Sequence, residues 1–299
     1  MTRDTTTTVN PSGPSRDYTV HRLSRGGALV SRIIHMVALT LSGAADRLFR
    51  AVLGSGNAKM RKTAKLLSAC TPHAWRGLSW SLPAVSTCAM ARRCKAYCYA
   101  LQGRFSATTV ALAHVQNWHA LETLYALGGE SLVTDTIART LTRLTLRGRK
   151  FSATLIRWHA AGDFHRAWYA RALSAAVSRA SVECASRGRL CVVYLYTKRI
   201  DMVRSGLLTA NAGPLPSSGA VLRVVQSVGG TLDHLIDYDR PHARVFGTHE
   251  ERKLAGYVDG NDERADIPAI VGETRIGLVY HGSLSASTVG LKSSRTDNY

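Results

Sequence analysis

Apolar and polar positions alternate along the chain on two different periods, and the alternation itself predicts an architecture. "RLCVVYLYTKR" (189–199) is almost continuously apolar, as a strand buried on both faces must be. "GAVLRVVQSVGG" (219–230) reads the same way. "FSATLIRWHAAGDF" (151–164) is β-rich and ends in a glycine turn, and "GLSWSLPAV" (77–85) is a short strand-like run broken at Pro83. Helical patterns lie between these runs: a long one from about Phe105 to Arg147, interrupted near Gly128 and Gly129; "HRAWYARALSAAVSRAS" (165–181); and "DMVRSGLLTANAG" (201–213). After Gly230 the pattern weakens, and "RIGLVYHGS" (275–283) reads as a final strand. The succession predicts an α/β fold: a mostly parallel sheet with crossover helices, open or partly closed as a barrel.

The first part of the chain follows another pattern. Residues 1–20 are rich in Thr, Ser, Pro and Gly and bury little, so they read as a disordered tail. Residues 21–75 read as a basic helical region, with a helix over 27–53 and a glycine hinge at 54–56. An α/β metal-binding domain is expected over 76–285, with a second disordered tail at 286–299. The longest apolar stretch, Ile33–Ala45, has 13 residues and is too short to span a bilayer.

Charge and cysteine usage narrow the function classes. A formal net charge of +19 favours contact with a polyanion, most often nucleic acid. Aromatic residues make up only 7%, and no basic-glycine-aromatic signature occurs, so a base-stacking module is not indicated. Six cysteines with no leader ahead of them do not form a secreted disulfide framework, and a reducing cytoplasm is the expected compartment. Neither a P-loop nor a dinucleotide-binding glycine motif is present.

Three of the six thiols, Cys88, Cys94 and Cys98, fall within eleven residues among Arg92, Arg93, Lys95 and Arg104. If 94–98 is helical, Cys94 and Cys98 share one face, and Cys88 arrives from the loop before them. Three thiolates suit a [4Fe–4S] cluster with one open iron, or a zinc site completed by His73, His114, His119 or Cys70. The neighbouring cations are expected to lower the thiol pKa values. The spacing is neither the C-x2-C of zinc ribbons nor the C-x3-C-x2-C of radical S-adenosylmethionine enzymes.

Other candidates fall at the ends of the apolar runs. In an extended strand Arg157 and His159 face one side, and Ile156 and Trp158 the other. Gly162 permits a turn, and Asp163 is either a helix cap or a ligand-binding carboxylate. Lys198 is either a solvated strand end or an anion contact, and Gln226 ends the next strand in the same position. Ligands of parallel α/β sheets collect at the carboxyl ends of strands. On that rule the three cysteines, Asp163, Lys198 and Gln226 converge on one mouth, with His159 and Gly162 beside them.

"GNAK" (56–59), "SLPAVSTC" (81–88), "CKAYCYALQGRF" (94–105), "RWHAAGDF" (157–164) and "YLYTKR" (194–199) resemble, in that order, the gene product 88 family of actinobacteriophages. The resemblance covers roughly residues 54–282, with "YHG" (280–282) as its last element. It implies a metal-binding role for Cys88, Cys94 and Cys98 and a turn role for Gly162 and Asp163. It brings no established activity. A second Cys-rich stretch near the end, frequent in the family, is missing from "ADIPAIVGETRIGLVYHG". The leading expectation is a phage-type α/β metalloprotein with a three-Cys [4Fe–4S] site. As an enzyme it would bind S-adenosylmethionine or another small ligand at the open iron, with Asp163 gripping an amine and Lys198 an anionic group. The alternative is a zinc-stabilised nucleic-acid-binding protein without catalytic activity.

Overall fold

The computed structural model describes residues 57–148 and 150–280. Seven strands form one sheet: β1 (Trp75–Trp80), β2 (Ala153–Trp158), β3 (Leu190–Thr197), β4 (Gly219–Ser227), β5 (His242–Phe246), β6 (Val258–Asp259) and β7 (Arg275–Val279). Their order is β1-β2-β3-β4-β5-β7-β6, and every neighbouring pair is parallel. The sheet curls into a half-barrel with helices between strands. This is the α/β, parallel, partly closed sheet that the apolar runs predict. The continuity of those runs has the expected cause, since every residue of β2 and nearly every residue of β3 and β4 is buried.

Helices cover the two faces differently. On one face lie α2 (Thr108–Leu146) and α3 (Ala167–Ser186). There α3 buries Trp168, Leu173, Ala176, Val177 and Ala180 at helical spacing. Trp80 and Trp158 stack beneath these helices, ring centroids 4.6 Å apart. Such a pair adds about 1 kcal/mol beyond its buried area. The long helix α2 bends where the sequence placed the interruption: Gly129 takes φ +61, which a side chain at that position would resist.

The opposite face is covered by α1 (Ala58–Cys70) and α6 (Ile267–Val271). Asn57 caps α1, its side-chain oxygen accepting from the Met60 amide at 3.0 Å. Met60, Ala64 and Leu67 then face the sheet one turn apart. Residues 58–70 therefore belong to the folded α/β unit.

Two readings change. Of "DMVRSGLLTANAG" only the beginning is helical, as α4 (Ile200–Arg204), because Gly206 turns the chain at φ +75 and Leu208 drops into the core. After Gly230 the weak pattern conceals β5, α5 (His249–Leu254), β6 and α6 as well as the expected β7. These strands are two to five residues long and only partly buried, so they carry little periodicity. The expectations for residues 1–20, 27–53 and 286–299 lie outside the described residues. No helix among the described residues is long and apolar enough to cross a membrane.

Candidate functional site

At the carboxyl end of the sheet lies a cavity of about 600 Å³. Its wall draws on the carboxyl ends of β2, β3, β4 and β7, on Val245 of β5, on the segments that follow β1, β2 and β6, and on the start of α1. Of the residues singled out from the sequence, Cys88, Cys94, Cys98, His159, Gly162, Asp163 and Lys198 line it. Gln226 does not. It is buried at the end of β4, where its amide donates to Asp237 O at 2.8 Å and accepts from Asp237 N at 3.0 Å.

The cysteine segment is folded by backbone rather than by a regular helix. Short 3-10 turns occupy Arg93–Lys95 and Tyr99–Leu101, and Cys98 between them is extended. Cys94 and Cys98 therefore do not share a helical face as the spacing suggested. The segment is instead anchored at both sides of the mouth. The Cys94 amide donates to Gly229 O at 3.3 Å, Thr231 N to Met90 O at 2.9 Å, and Asp163 N to the Thr87 hydroxyl at 3.2 Å. Glycine is favoured at the first anchor, because Gly229 takes φ +102, and a Cβ there would also come within 2.4 Å of the Tyr97 hydroxyl. It is required at Gly162, where φ is +79 and a Cβ would come within 2.6 Å of Leu82.

Burial pushes the Cys88 thiol up to about 12, and the Asp163 charge adds to the effect. Burial also raises Cys94 and Cys98, and Lys198 pulls both back only in part. The expected lowering is thus reversed. Arg92, Arg93, Lys95 and Arg104 are exposed, where water screens them, while the thiols are withdrawn from water. Among the described residues, no group of three or more His, Cys, Asp or Glu side chains could hold a metal ion as it stands. The fourth-ligand candidates Cys70, His73, His114 and His119 do not line the cavity.

Asp163 and Lys198 are held in place rather than free. Asp163 Oδ1 accepts from Phe164 N at 2.8 Å and Thr197 Oγ1 at 2.7 Å, and Oδ2 accepts from Lys198 N at 2.8 Å. The carboxylate ties the end of β2 to the end of β3. Burial raises its pKa against those three bonds. Lys198 Nζ donates to Ser227 Oγ at 2.9 Å and to the carbonyls of Ser227 and Val228 at 3.3 and 2.8 Å, fastening β3 to β4.

His159 departs from strand alternation. It sits just past β2 at φ +62, a strained angle for a histidine. That turn places its ring with Trp158 on the α3 side, not with Arg157. His159 Nε2 lies 2.8 Å from the Tyr169 hydroxyl, which also accepts from Trp158 Nε1 at 2.6 Å. Burial holds the imidazole well below the usual histidine range, so it is neutral.

Another part of the wall carries residues that the sequence did not mark as site residues. Arg157 stands 5.5 Å from the Tyr196 ring centroid and 6.0 Å from that of Tyr99, and its Nη2 donates to the Tyr99 hydroxyl at 3.2 Å. Behind it the fully buried Asp266 lies 2.9 Å from Lys59 Nζ and 3.4 Å from Arg157 Nη1, and accepts from the Tyr194 hydroxyl at 2.6 Å. Burial opposes the Asp266 charge, but Arg157 and Lys59 outweigh it and hold the carboxyl below its ordinary range. One carboxylate thus serves two cations. A charged residue late in a buried strand was the available signal for Arg157. No local signal exists for Lys59 or Asp266, which are 207 positions apart in the chain.

No curated protein and no solved structure matches this chain. A family model, Gene product 88, matches residues 48–287, which takes in every strand of the half-barrel and all the residues that line its cavity. The chain therefore belongs to the Gene product 88 family.

Proposed function

We propose that this is an iron–sulfur protein whose Cys88, Cys94 and Cys98 hold a [4Fe–4S] cluster at the mouth of the half-barrel, with one iron open to a small ligand in the cavity. The observation that carries the reading is the convergence of three thiols from one segment with the carboxyl ends of parallel strands on one cavity. The donor set suits a cluster better than a zinc ion. At a Zn–S length of about 2.3 Å, tetrahedral thiolates stand roughly 3.8 Å apart and need a fourth ligand. The thiols are not gathered in that way, and none of Cys70, His73, His114 and His119 lines the cavity. A four-iron cluster is bulkier, takes its thiolates further apart, and leaves a position open when only three are supplied.

When bound, such a cluster supplies one-electron chemistry to whatever ligand its open iron holds. This chain's own residues do the rest. Lys198 lies near enough to act on Cys94 and Cys98 electrostatically, and so favours an anionic thiolate assembly. Arg157 places a guanidinium in the wall, suited to a carboxylate or phosphate. S-adenosylmethionine is the ligand that the half-barrel layout suggests; that part of the reading rests on analogy of layout.

Anaerobic purification with iron and sulfide analysis tests the proposal. The expected result is a brown protein with about four irons per chain, and loss of most of that iron in Cys98→Ala. A colourless protein that takes up no iron on anaerobic reconstitution, or one that holds a single zinc, overturns it.

A further inference from the structure

The segment that carries the cysteines has charges of one sign. From Asn57 to Leu121 the chain carries nine Lys and Arg and no Asp or Glu, although 20 acids in 299 residues would place about four in a stretch of that length. Four of the nine, Arg92, Arg93, Lys95 and Arg104, are exposed on the segment whose Cys94, Cys98 and Tyr99 line the cavity. Two acids lie near the cavity, and Asp262 is one of its lining residues. Asp233 accepts from the amides of Gly229 and Gly230 at 2.8 Å each, and Asp262 lies 3.5 Å from His249.

We infer that single-stranded nucleic acid binds across this segment, with its phosphates on Arg92, Arg93, Lys95 and Arg104 and one nucleotide turned into the cavity. A single small anion inside the cavity cannot neutralise four exposed cations spread over 13 residues outside it, whereas a chain of phosphates can. Tyr99 stands at the threshold. It is 51% exposed, yet its hydroxyl reaches inward to Ala160 O and Arg157. With Leu101, also 51% exposed, it offers a base an apolar surface to stack on. A volume of about 600 Å³ accommodates one nucleotide. A recessed site of this kind reaches a base only outside a duplex stack, which selects single strands. The inference does not rest on the iron–sulfur reading, because the segment and the cavity are built by the protein alone.

The test is fluorescence anisotropy of the full chain with a labelled single-stranded oligonucleotide of about twelve nucleotides, with and without bound iron. Combining Arg92→Ala, Arg93→Ala and Lys95→Ala should weaken binding tenfold or more and flatten the slope of log affinity against log salt by about 2. These positions are exposed, so circular dichroism should be unchanged. A 5-iodouracil oligonucleotide should photo-crosslink the unaltered chain at Tyr99 or Phe105. Binding that survives loss of iron supports this inference even if the cluster proposal fails. An unchanged salt slope in the triple variant overturns it. So do crosslinks confined to residues before Asn57, equal affinity for duplex, or binding to anionic vesicles but not to the oligonucleotide.

Discussion

Replacing Asp266 by Asn tests whether the Arg157 side of the cavity is held by charge. In the native fold this carboxylate is fully buried, faces Lys59 at 2.9 Å and Arg157 at 3.4 Å, and accepts the Tyr194 hydroxyl at 2.6 Å. The amide keeps the shape and one acceptor but leaves two cations with no counter-charge. Breaking a buried pair by removing one partner costs about 3–5 kcal/mol. The Lys59 side chain is 24% exposed, so water relieves part of that, and the lower end, about 3 kcal/mol, is expected. With a urea m-value of roughly 3 kcal/mol/M the midpoint should fall by about 1 M at pH 7. The pH dependence has a definite sign. The Asp266 carboxyl is held below its unfolded value, so its stabilisation is complete above the unfolded carboxylate range and is lost as pH falls through the folded pKa. The gap between native protein and Asp266→Asn should therefore close in acid. A gap below about 0.5 kcal/mol at pH 7, or one that does not shrink on acidification, would refute the reasoning.

Other substitutions separate anchoring residues from ligand contacts. Gly162→Ala meets both a positive φ and Leu82 at 2.6 Å, and thermal melting should show a loss of roughly 3 kcal/mol or more; a melt like the native one would mean the turn can relax. Asp163→Asn puts an amide donor against the Lys198 or Phe164 amide, and urea unfolding should register about 2 kcal/mol of destabilisation. Gln226→Ala leaves the Asp237 backbone groups unpaired and should cost about 2 kcal/mol while leaving oligonucleotide binding unchanged; a binding defect at native stability would return Gln226 to the site. His159 is buried and neutral, so the unfolded chain protonates first below about pH 6.5 and stability should fall there by up to about 1.4 kcal/mol per pH unit. His159→Gln should flatten that slope, and identical slopes would show that the ring ionises freely in the fold.

What the sequence by itself determined was the frame. Buried parallel strands have no solvated face, so β2, β3 and β4 are written as nearly unbroken apolar runs, and the rule that sites gather at strand ends then brings the cysteines, Asp163 and Lys198 to one mouth. The kink at Gly128 and Gly129 was equally legible, because backbone freedom is a property of the residue itself. Only the tertiary structure decided how each side chain was used. Asp163 and Lys198 turned out to be fastened by Thr197 and by the Ser227 and Val228 groups, and Gln226 by Asp237, because each partner is 11 to 34 residues away in the chain. The positive φ of His159 moved its ring to the other layer, against the alternation of an ideal strand. The thiols rose in pKa where neighbouring cations suggested a fall, since proximity in sequence says nothing of which group is withdrawn from water. Lys59, Arg157 and Asp266 form one network only because α1 and the segment before α6 pack on the same face of the curled sheet, a meeting that no local pattern records.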